Sequence, residues 1–138
     1  MTTMKTTTLK TRTTLATLAL AAIGLVGAGA GPAAAHSGDD DRVIVTGACS
    51  AGADWKLKVK TDDGRLEVEG EVDANTSGQQ WRWAIRHNGS VSDRGTSTTT
   101  GRSGSFSIER KIVDLAGTDR VVFRAVHAGQ TCRGVINY

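Results

Sequence analysis

Hydrophobic and polar residues alternate along residues 55–72, WKLKVKTDDGRLEVEGEV. An alternation with a period of two predicts β-strands that have one buried face and one solvated face. The dipeptide Asp63-Gly64 at its centre favours a two-residue hairpin turn, because both turn positions require a positive φ. The resulting pairs are Lys56 with Glu71, Lys58 with Glu69, Lys60 with Glu67 and Asp62 with Arg65. We interpret these charges as cross-strand pairs on a solvated face, and a charged ligand-binding face is the alternative.

The same pattern recurs along the rest of the chain and predicts seven or eight short strands. They are 43–46, 55–60, 65–73, 79–87, 90–96, 106–113, one that contains Val121, Phe123 and Ala125, and one over 132–138. Asn88-Gly89 predicts a second hairpin turn, and the polar strand that follows it is expected at a sheet edge. Since no segment has a helical periodicity, the predicted fold class is all-β, an antiparallel β-sandwich.

The first 35 residues have the layout of a secretory signal peptide. Residues 1–14 carry three basic residues and no acid, residues 15–31 are apolar, and small residues precede Ala35. We therefore predict export, with residues 1–35 as the signal peptide and cleavage after Ala35. Residues 36–47 are expected to form a flexible acidic leader with a possible first strand, and residues 48–138 the sandwich domain. No membrane span is predicted in the mature chain, since no second apolar run follows.

The net charge of the chain comes from the segment that would be removed. The sequence has 17 lysines and arginines against 14 acids, and removal of Lys5, Lys10 and Arg12 leaves 14 against 14. A net charge near zero gives no support for nucleic acid or anionic lipid as a partner. We therefore predict an extracellular protein, peptide or glycan as the partner, and no nucleic acid.

The two cysteines, Cys49 and Cys132, are predicted to form one disulfide bond, because an even cysteine count is typical of exported proteins with disulfides. The bond would close a loop of about 84 residues, for which the loop-entropy relation gives about 4.6 kcal/mol. A redox-active pair normally lies close together as CxxC, and no such motif occurs. The expected role of the bond is therefore structural.

Two segments resemble immunoglobulin-like and fibronectin type III domains. Residues 81–85, WRWAI, are similar to the third strand of these domains, which carries a large aromatic residue on its inner face. Residues 115–125, LAGTDRVVFRA, resemble the leucine-led corner of fibronectin type III domains and the strand after it. Val121 stands where that family usually places its corner tyrosine. The alanine-rich leader and the terminal GQTC segment also resemble small secreted actinobacterial proteins, a resemblance that implies no particular activity.

Trp55, Trp81 and Trp83 account for three of the six aromatic residues. Exposed tryptophans on a sandwich could stack on sugar rings, whereas inner-face tryptophans would fill the core, and the core is favoured for all three. Because Trp81 and Trp83 share one face, one of them could lie half exposed at the end of the sheet. Trp81 is therefore kept as a possible ligand contact, together with Arg94 on the polar edge strand and Arg102 in the loop over residues 98–104.

Histidine supplies the only candidate metal ligand. If cleavage leaves His36 as the first residue, its amine and its ring could bind copper together, as in histidine-brace proteins on immunoglobulin-like sandwiches, since imidazole suits copper. His87 directly precedes the Asn88-Gly89 turn and is expected to be an exposed turn residue. No cofactor is predicted apart from this copper alternative.

Motifs that carry chemistry do not occur in the sequence: there is no GxSxG, CxxC, HExxH or phosphate-binding glycine loop. We therefore predict a secreted, non-enzymatic binding module whose contacts lie on loops and strand edges. The alternatives are a copper protein that uses His36 and a small extracellular protease inhibitor. Such an inhibitor would accept an extended peptide as an added strand at the edge formed by residues 90–96.

Overall fold

A computed structural model describes residues 41–138, and these residues form strands and turns without any helix. The eight strands are β1 (Val43–Ala48), β2 (Asp54–Asp62), β3 (Arg65–Asp73), β4 (Gln80–His87), β5 (Ser90–Thr98), β6 (Ser105–Val113), β7 (Arg120–His127) and β8 (Gln130–Asn137). The predicted signal peptide and residues 36–40 of the leader lie outside the described residues. Within residues 41–138 there is no helix that could cross a membrane.

The strands form two antiparallel sheets that pack face to face. The first sheet has the order β1-β2-β3-β6 and the second has the order β5-β4-β7-β8. The chain crosses from one sheet to the other after β3, β5 and β6, so neither sheet is built from consecutive strands alone. The predicted all-β antiparallel sandwich of seven or eight strands is confirmed, with eight strands in residues 41–138, as is the edge position of β5. The immunoglobulin-like or fibronectin type III-like type stays a prediction.

The β2–β3 hairpin has the register that its sequence predicts. Residues Asp54 to Asp62 of β2 pair one by one with Asp73 to Arg65 of β3, and Asp63 and Gly64 both have positive φ in the turn. Lys58 forms an ion pair with Glu69, and Lys60 lies 3.1 Å from Glu67. The hydrogen bond from Lys58 holds the pKa of Glu69 below its usual value, against burial, which raises it. The cross-strand interpretation is confirmed for the lysine–glutamate pairs, whereas Asp62, which lies opposite Arg65, forms its ion pair with Lys111 of β6.

The core lies between the sheets and is built from the inward positions of six strands, β2, β3, β4, β6, β7 and β8, together with Ala53. Its buried apolar members are Ala53, Leu57, Val59, Leu66, Val68, Val72, Trp81, Trp83, Ile85, Phe106, Ile108, Ile112, Val121, Phe123, Ala125, Cys132 and Ile136. Gly70 of β3 brings the two sheets close, because a Cβ at this position would lie 2.6 Å from the ring of Phe123 on β7. The sequence pattern therefore assigns the inward face of both sheets correctly.

The disulfide bond between Cys49 and Cys132 confirms the predicted pairing. Cys49 follows β1 and Cys132 lies on β8, so the bond joins the first sheet to the second along one side of the sandwich. A backbone hydrogen bond of 2.9 Å from Ser50 to Thr131 lies next to it. A disulfide bond is typical of proteins that fold in an oxidising compartment.

Candidate functional site: an arginine face on the second sheet

The outward positions of the second sheet are rich in arginine. Strands β4, β7 and β8 alternate between inward core residues and outward residues, and β5 follows the same alternation, although its inward positions include the polar Asp93 and Ser97. The outward positions of β7 and β8 also include Val122, Val126 and Val135. The outward arginines are Arg82 and Arg86 on β4, Arg94 on β5, Arg120 and Arg124 on β7, and Arg133 on β8. All six are exposed. We call this surface the arginine face.

Four of these arginines surround one alanine. Ala84 of β4 pairs directly with Arg94 of β5 on one side and with Arg124 of β7 on the other. Arg82 and Arg86 lie two residues before and after Ala84 on β4, about 7 Å away along the strand. We call Arg82, Arg86, Arg94 and Arg124 the arginine ring. The small Ala84 side chain leaves a shallow depression of about 260 Å³, lined by residues that include Arg82, Arg94 and Arg124.

The arginine face contains no carboxylate that could neutralise it. The four strands of the second sheet include one acid, Asp93, which lies opposite the inward-facing Ile85. Asp93 forms an ion pair with Arg110 of β6, across the side of the sandwich. Within residues 41–138, none of the six outward arginines of this sheet forms an ion pair. Arg86 donates one hydrogen bond of 3.2 Å to the carbonyl of Gly89.

The register even places two arginines directly opposite each other, Arg124 on β7 and Arg133 on β8. Like charges at directly opposed positions destabilise a sheet, by up to about 1 kcal/mol. The first sheet also opposes like charges, Asp54 to Asp73 and Glu69 to Glu109. There, however, Glu69 bonds to Lys56 and Lys58, whereas Arg124 and Arg133 form no ion pair within residues 41–138. Residues that break a local rule within an otherwise consistent fold are typical of functional sites.

The chemistry of this surface is that of anion binding. A guanidinium group has five N–H donors in a fixed plane, matches the oxygens of carboxylate, sulfate or phosphate, and keeps its charge at all physiological pH values. It therefore does not act as a general acid or base at ordinary pH. The sheet fixes the spacing of the arginine backbone positions before any ligand arrives, which reduces the cost of bringing the guanidinium groups together on binding.

The structure places the three predicted ligand contacts in three different environments. Arg94 belongs to the arginine ring. Arg102 is exposed in the loop after β5, which is held to residues 76–79 by hydrogen bonds such as Thr99 Oγ1 to the carbonyl of Thr76 at 2.6 Å. Trp81 is fully buried in the core, so no face of its ring is available for stacking on a ligand.

Sequence reasoning missed the arginine face because a net charge near zero hides how the charges are distributed. Arg82 and Arg86 share one strand face, as do Arg120 and Arg124, and this spacing is visible in the sequence. Their assembly into one surface depends on strand order, because β4 lies between β5 and β7, and β7 starts 30 or more residues later in the chain. Strand order across the sheet is what the alternation pattern alone does not provide.

A second polar cluster is buried, and it corrects the expectation for His87. This side chain is only 6% exposed, rather than an exposed turn residue, and its Nε2 bonds to Asp119 Oδ1. Asn88 Nδ2 and the amide of Leu115 donate to the same carboxylate, at 3.1 and 3.2 Å. Burial alone raises the pKa of Asp119, but these hydrogen bonds outweigh it and hold the pKa below its usual value.

This cluster stabilises a corner of the sandwich through hydrogen bonds. Asp119 directly precedes β7, and Asn88 Oδ1 accepts a hydrogen bond of 2.8 Å from the amide of Arg120. The cluster therefore joins the β4–β5 turn to the start of β7, next to Val121, where the resembling family places a tyrosine. An aspartate–histidine pair also occurs in catalytic triads, but within residues 41–138 no serine, threonine or cysteine bonds to His87.

Trp55 marks a further depression, of about 340 Å³, at the end of β1, β2 and β3. The Trp55 ring is half buried, and its Nε1 donates to the carbonyl of Ala48 at 3.2 Å. The polar residues around this depression are already paired in part, since Lys56 lies 2.5 Å from Glu71. The depression also holds Asp54 and Asp73, which lie directly opposite each other, so its net charge is negative, in contrast to that of the arginine face.

No group of three or more histidine, cysteine or acidic side chains in residues 41–138 is arranged to hold a metal ion. His36 lies outside the described residues, so the copper alternative stays a prediction. His127, the other described histidine, bonds through Nδ1 to the carbonyl of Gln80 at 2.8 Å and packs on Trp81.

Comparison with known proteins adds no candidate activity. Against protein-family models, curated proteins and solved structures, no match to this chain is found. Candidate functions therefore follow from the geometry and the charges described above, among which the arginine face is the strongest feature.

Proposed function

We propose that this protein is an exported, non-enzymatic binding module that takes an anionic ligand on the arginine face. The observation that carries the proposal is the arginine ring: four arginines around Ala84 with no acid among them. Within residues 41–138 nothing indicates catalysis, and arginine serves binding better than proton transfer. The signal-peptide pattern of residues 1–35 and the disulfide bond support an extracellular location.

The free energy of binding has two sources in this arrangement. An incoming oxyanion forms charge-assisted, two-pronged hydrogen bonds with guanidinium groups, the strongest kind of hydrogen bond available to side chains. It also relieves the repulsion among arginines that lie directly opposite each other or diagonally across neighbouring strands. Since all the partners are exposed, salt should weaken the complex markedly, because exposed charges are screened over about 8 Å at physiological ionic strength.

Titration with dextran sulfate, with neutral dextran as the matched control polymer, tests this proposal. The variant R82Q/R124Q removes two ring charges and should lower the affinity for dextran sulfate at least about tenfold, since each hydrogen bond to a charged group contributes about 1.5–3 kcal/mol. R102Q removes an exposed arginine outside the face and should bind like the original protein. Equal losses in both variants, or no binding of dextran sulfate by the original protein, would rule the proposal out.

An added peptide strand on β5 is the second candidate, and it corresponds to the protease-inhibitor alternative. The observation in its favour is the edge position of this nine-residue strand, Ser90–Thr98. Inhibition of a panel of secreted proteases at micromolar protein would support it. A proline at an edge position whose amide faces away from β4 should then abolish the inhibition while the fold is retained.

A further inference from the structure

We infer that the anionic ligand is an extended polysaccharide with carboxylate or sulfate groups, lying across the strands of the second sheet. The inference deepens the proposed function and rests on it. Its geometric basis is one row of the sheet, in which Arg94, Ala84, Arg124 and Arg133 are successive cross-strand partners on β5, β4, β7 and β8. We call these four residues the cross-strand row.

The cross-strand row is wide enough for several charged groups of one chain. It covers three strand spacings, roughly 14 Å between the backbones of its outer residues. Together with Arg82, Arg86 and Arg120, it carries six positive charges on one face. A single sulfate or phosphate would neutralise two of these six charges at most. A polymer with repeated anionic groups can neutralise all of them, so the number and spread of the charges favour a polymer over a small anion.

The absence of aromatic side chains narrows the choice of polymer. The aromatic residues of the second sheet, Trp81, Trp83 and Phe123, are all buried toward the core. The arginine face therefore has no ring on which an unpaired base could stack, and such stacking is the usual basis of single-strand recognition. It also has no platform for the apolar face of a neutral sugar. What it offers is charge and planar hydrogen-bond donors, which suits a glycan through its acidic groups.

The flatness of the face disfavours duplex DNA and a lipid bilayer. Reading a DNA groove needs a helix or a ribbon that projects into it, and a sheet presented broadside does not project. Membrane-surface binding normally adds apolar side chains that enter the lipid interface. Among the exposed large hydrophobic residues in residues 41–138, Val91 is the one paired with an arginine of the face, Arg86. A glycan chain needs neither a projection nor an apolar anchor.

Ala84 is the position at which one acidic group of the glycan would sit. The depression of about 260 Å³ above it is bordered by Arg82, Arg94 and Arg124, so a carboxylate or sulfate there meets guanidinium groups on at least three sides. A larger or charged residue at position 84 would occupy this place. The structure therefore predicts that a carboxylate built into the protein at Ala84 acts as a ligand mimic.

Binding measured with a set of defined probes tests the class of ligand. Dextran sulfate and polygalacturonate should bind. Duplex DNA, vesicles of phosphatidylglycerol and phosphatidylcholine, and inorganic sulfate should each bind at least about tenfold more weakly at equal anion concentration. If DNA or the vesicles bind with the same affinity as dextran sulfate, the inference that the ligand is a polysaccharide is wrong, although the face still binds anions. If inorganic sulfate binds as tightly as dextran sulfate, the inference that the ligand is a polymer is wrong. If no anion binds, the proposed function itself is wrong.

Two substitutions test the placement of the ligand. A84E should lower the affinity for dextran sulfate at least about tenfold without removing an arginine, whereas A84Q, with the same bulk and no charge, should lose much less. R133Q lies in the cross-strand row but outside the arginine ring, so it should weaken dextran sulfate severalfold and leave the weak binding of inorganic sulfate unchanged. A84E that binds normally, or R133Q that affects both probes equally, would overturn the inference. Thermal unfolding of each variant establishes that it is folded.

Discussion

At single positions, the packing of the core depends on glycines that face aromatic rings. A Cβ added at Gly70, Gly95 or Gly134 would lie 2.5–2.6 Å from the rings of Phe123, Trp83 and Trp55 respectively. These distances are far below normal carbon–carbon contact, so any larger side chain must displace a ring. The role of Gly70 follows from the sequence, because it occupies an inward position of a strand otherwise filled by Leu66, Val68 and Val72.

Substitution of Gly70 tests its close contact with the ring of Phe123. G70A should lower the free energy of unfolding by about 1–3 kcal/mol, because the added methyl group overpacks the contact with Phe123. Urea denaturation measures the change. F123L in the same protein should recover part of the loss, since a smaller side chain leaves room for the methyl group. Additive losses in a double-mutant cycle would contradict the contact as the cause.

Substitution of Asp119 tests the hydrogen bonds of the buried polar cluster, through the pH dependence of stability. Its pKa is lower in the folded protein, so its hydrogen bonds stabilise the fold above the unfolded pKa of about 4, and this stabilisation is lost as the pH falls through the lower folded value. D119N should lower the free energy of unfolding at neutral pH by about 1–3 kcal/mol. The deficit should shrink in acid, where the original carboxyl group is itself protonated. A deficit that is the same at both pH values would contradict the charge-based account.

At the scale of strands, the two sheets treat charge in opposite ways. The outer face of the first sheet alternates lysine and glutamate so that opposite charges meet across β2 and β3. The arginine face of the second sheet carries positive charge alone, and its β7–β8 register opposes Arg124 to Arg133. The first arrangement contributes to folding, whereas the Arg124–Arg133 opposition works against it. Under the proposed function, the second arrangement serves binding.

Charge reversal in each sheet distinguishes the two arrangements. K58E should lower the free energy of unfolding by about 1 kcal/mol, because it places a carboxylate opposite Glu69. R133E should raise it by a few tenths up to about 1 kcal/mol, because it gives Arg124 an opposite charge. Urea denaturation at low salt measures both changes, and R133Q separates lost repulsion from new attraction. If K58E and R133E lower the free energy of unfolding by the same amount, Arg124 and Arg133 do not repel each other in the folded protein.

Local elements could be predicted from the sequence more completely than the sites they form. The β2–β3 register follows from a two-residue turn and a strict alternation, both contained in 18 consecutive residues, 55–72. The His87–Asp119 contact joins residues 32 positions apart. The alternation of Trp81, Trp83 and Ile85 places His87 on the inward face, but no pattern in the sequence identifies Asp119 as its partner. The arginine ring likewise depends on the pairing of β4 with β7, which the sequence pattern does not determine.

At the scale of the whole molecule, one disulfide bond and an uneven charge distribution define the protein. The bond between Cys49 and Cys132 closes one side of the sandwich, and the ion pair of Arg110 with Asp93 lies on the other side. The net charge of residues 36–138 is zero, yet the outer faces of the two sheets differ in character. Under the proposed function, a partner would respond to the face that it meets rather than to the overall charge.

Removal of the disulfide bond tests its contribution to the whole fold. The variant C49S/C132S should lose about 2–5 kcal/mol of unfolding free energy, since a long loop is no longer closed in the unfolded state. Denaturant titration gives the magnitude, and far-UV circular dichroism shows whether the β-sheet spectrum persists. Unchanged stability would contradict a structural role for the bond.

The most direct test of the central claim, that the arginine face is the binding surface, is an amide NMR titration with a short dextran sulfate. We predict that the shift changes centre on Ala84 and its neighbours Arg82, Arg86, Arg94 and Arg124, extend to Arg133, and disappear in high salt. Neutral dextran should leave the spectrum unchanged. Shift changes centred on the loop around Arg102 or on the first sheet, or none at all, would contradict the account.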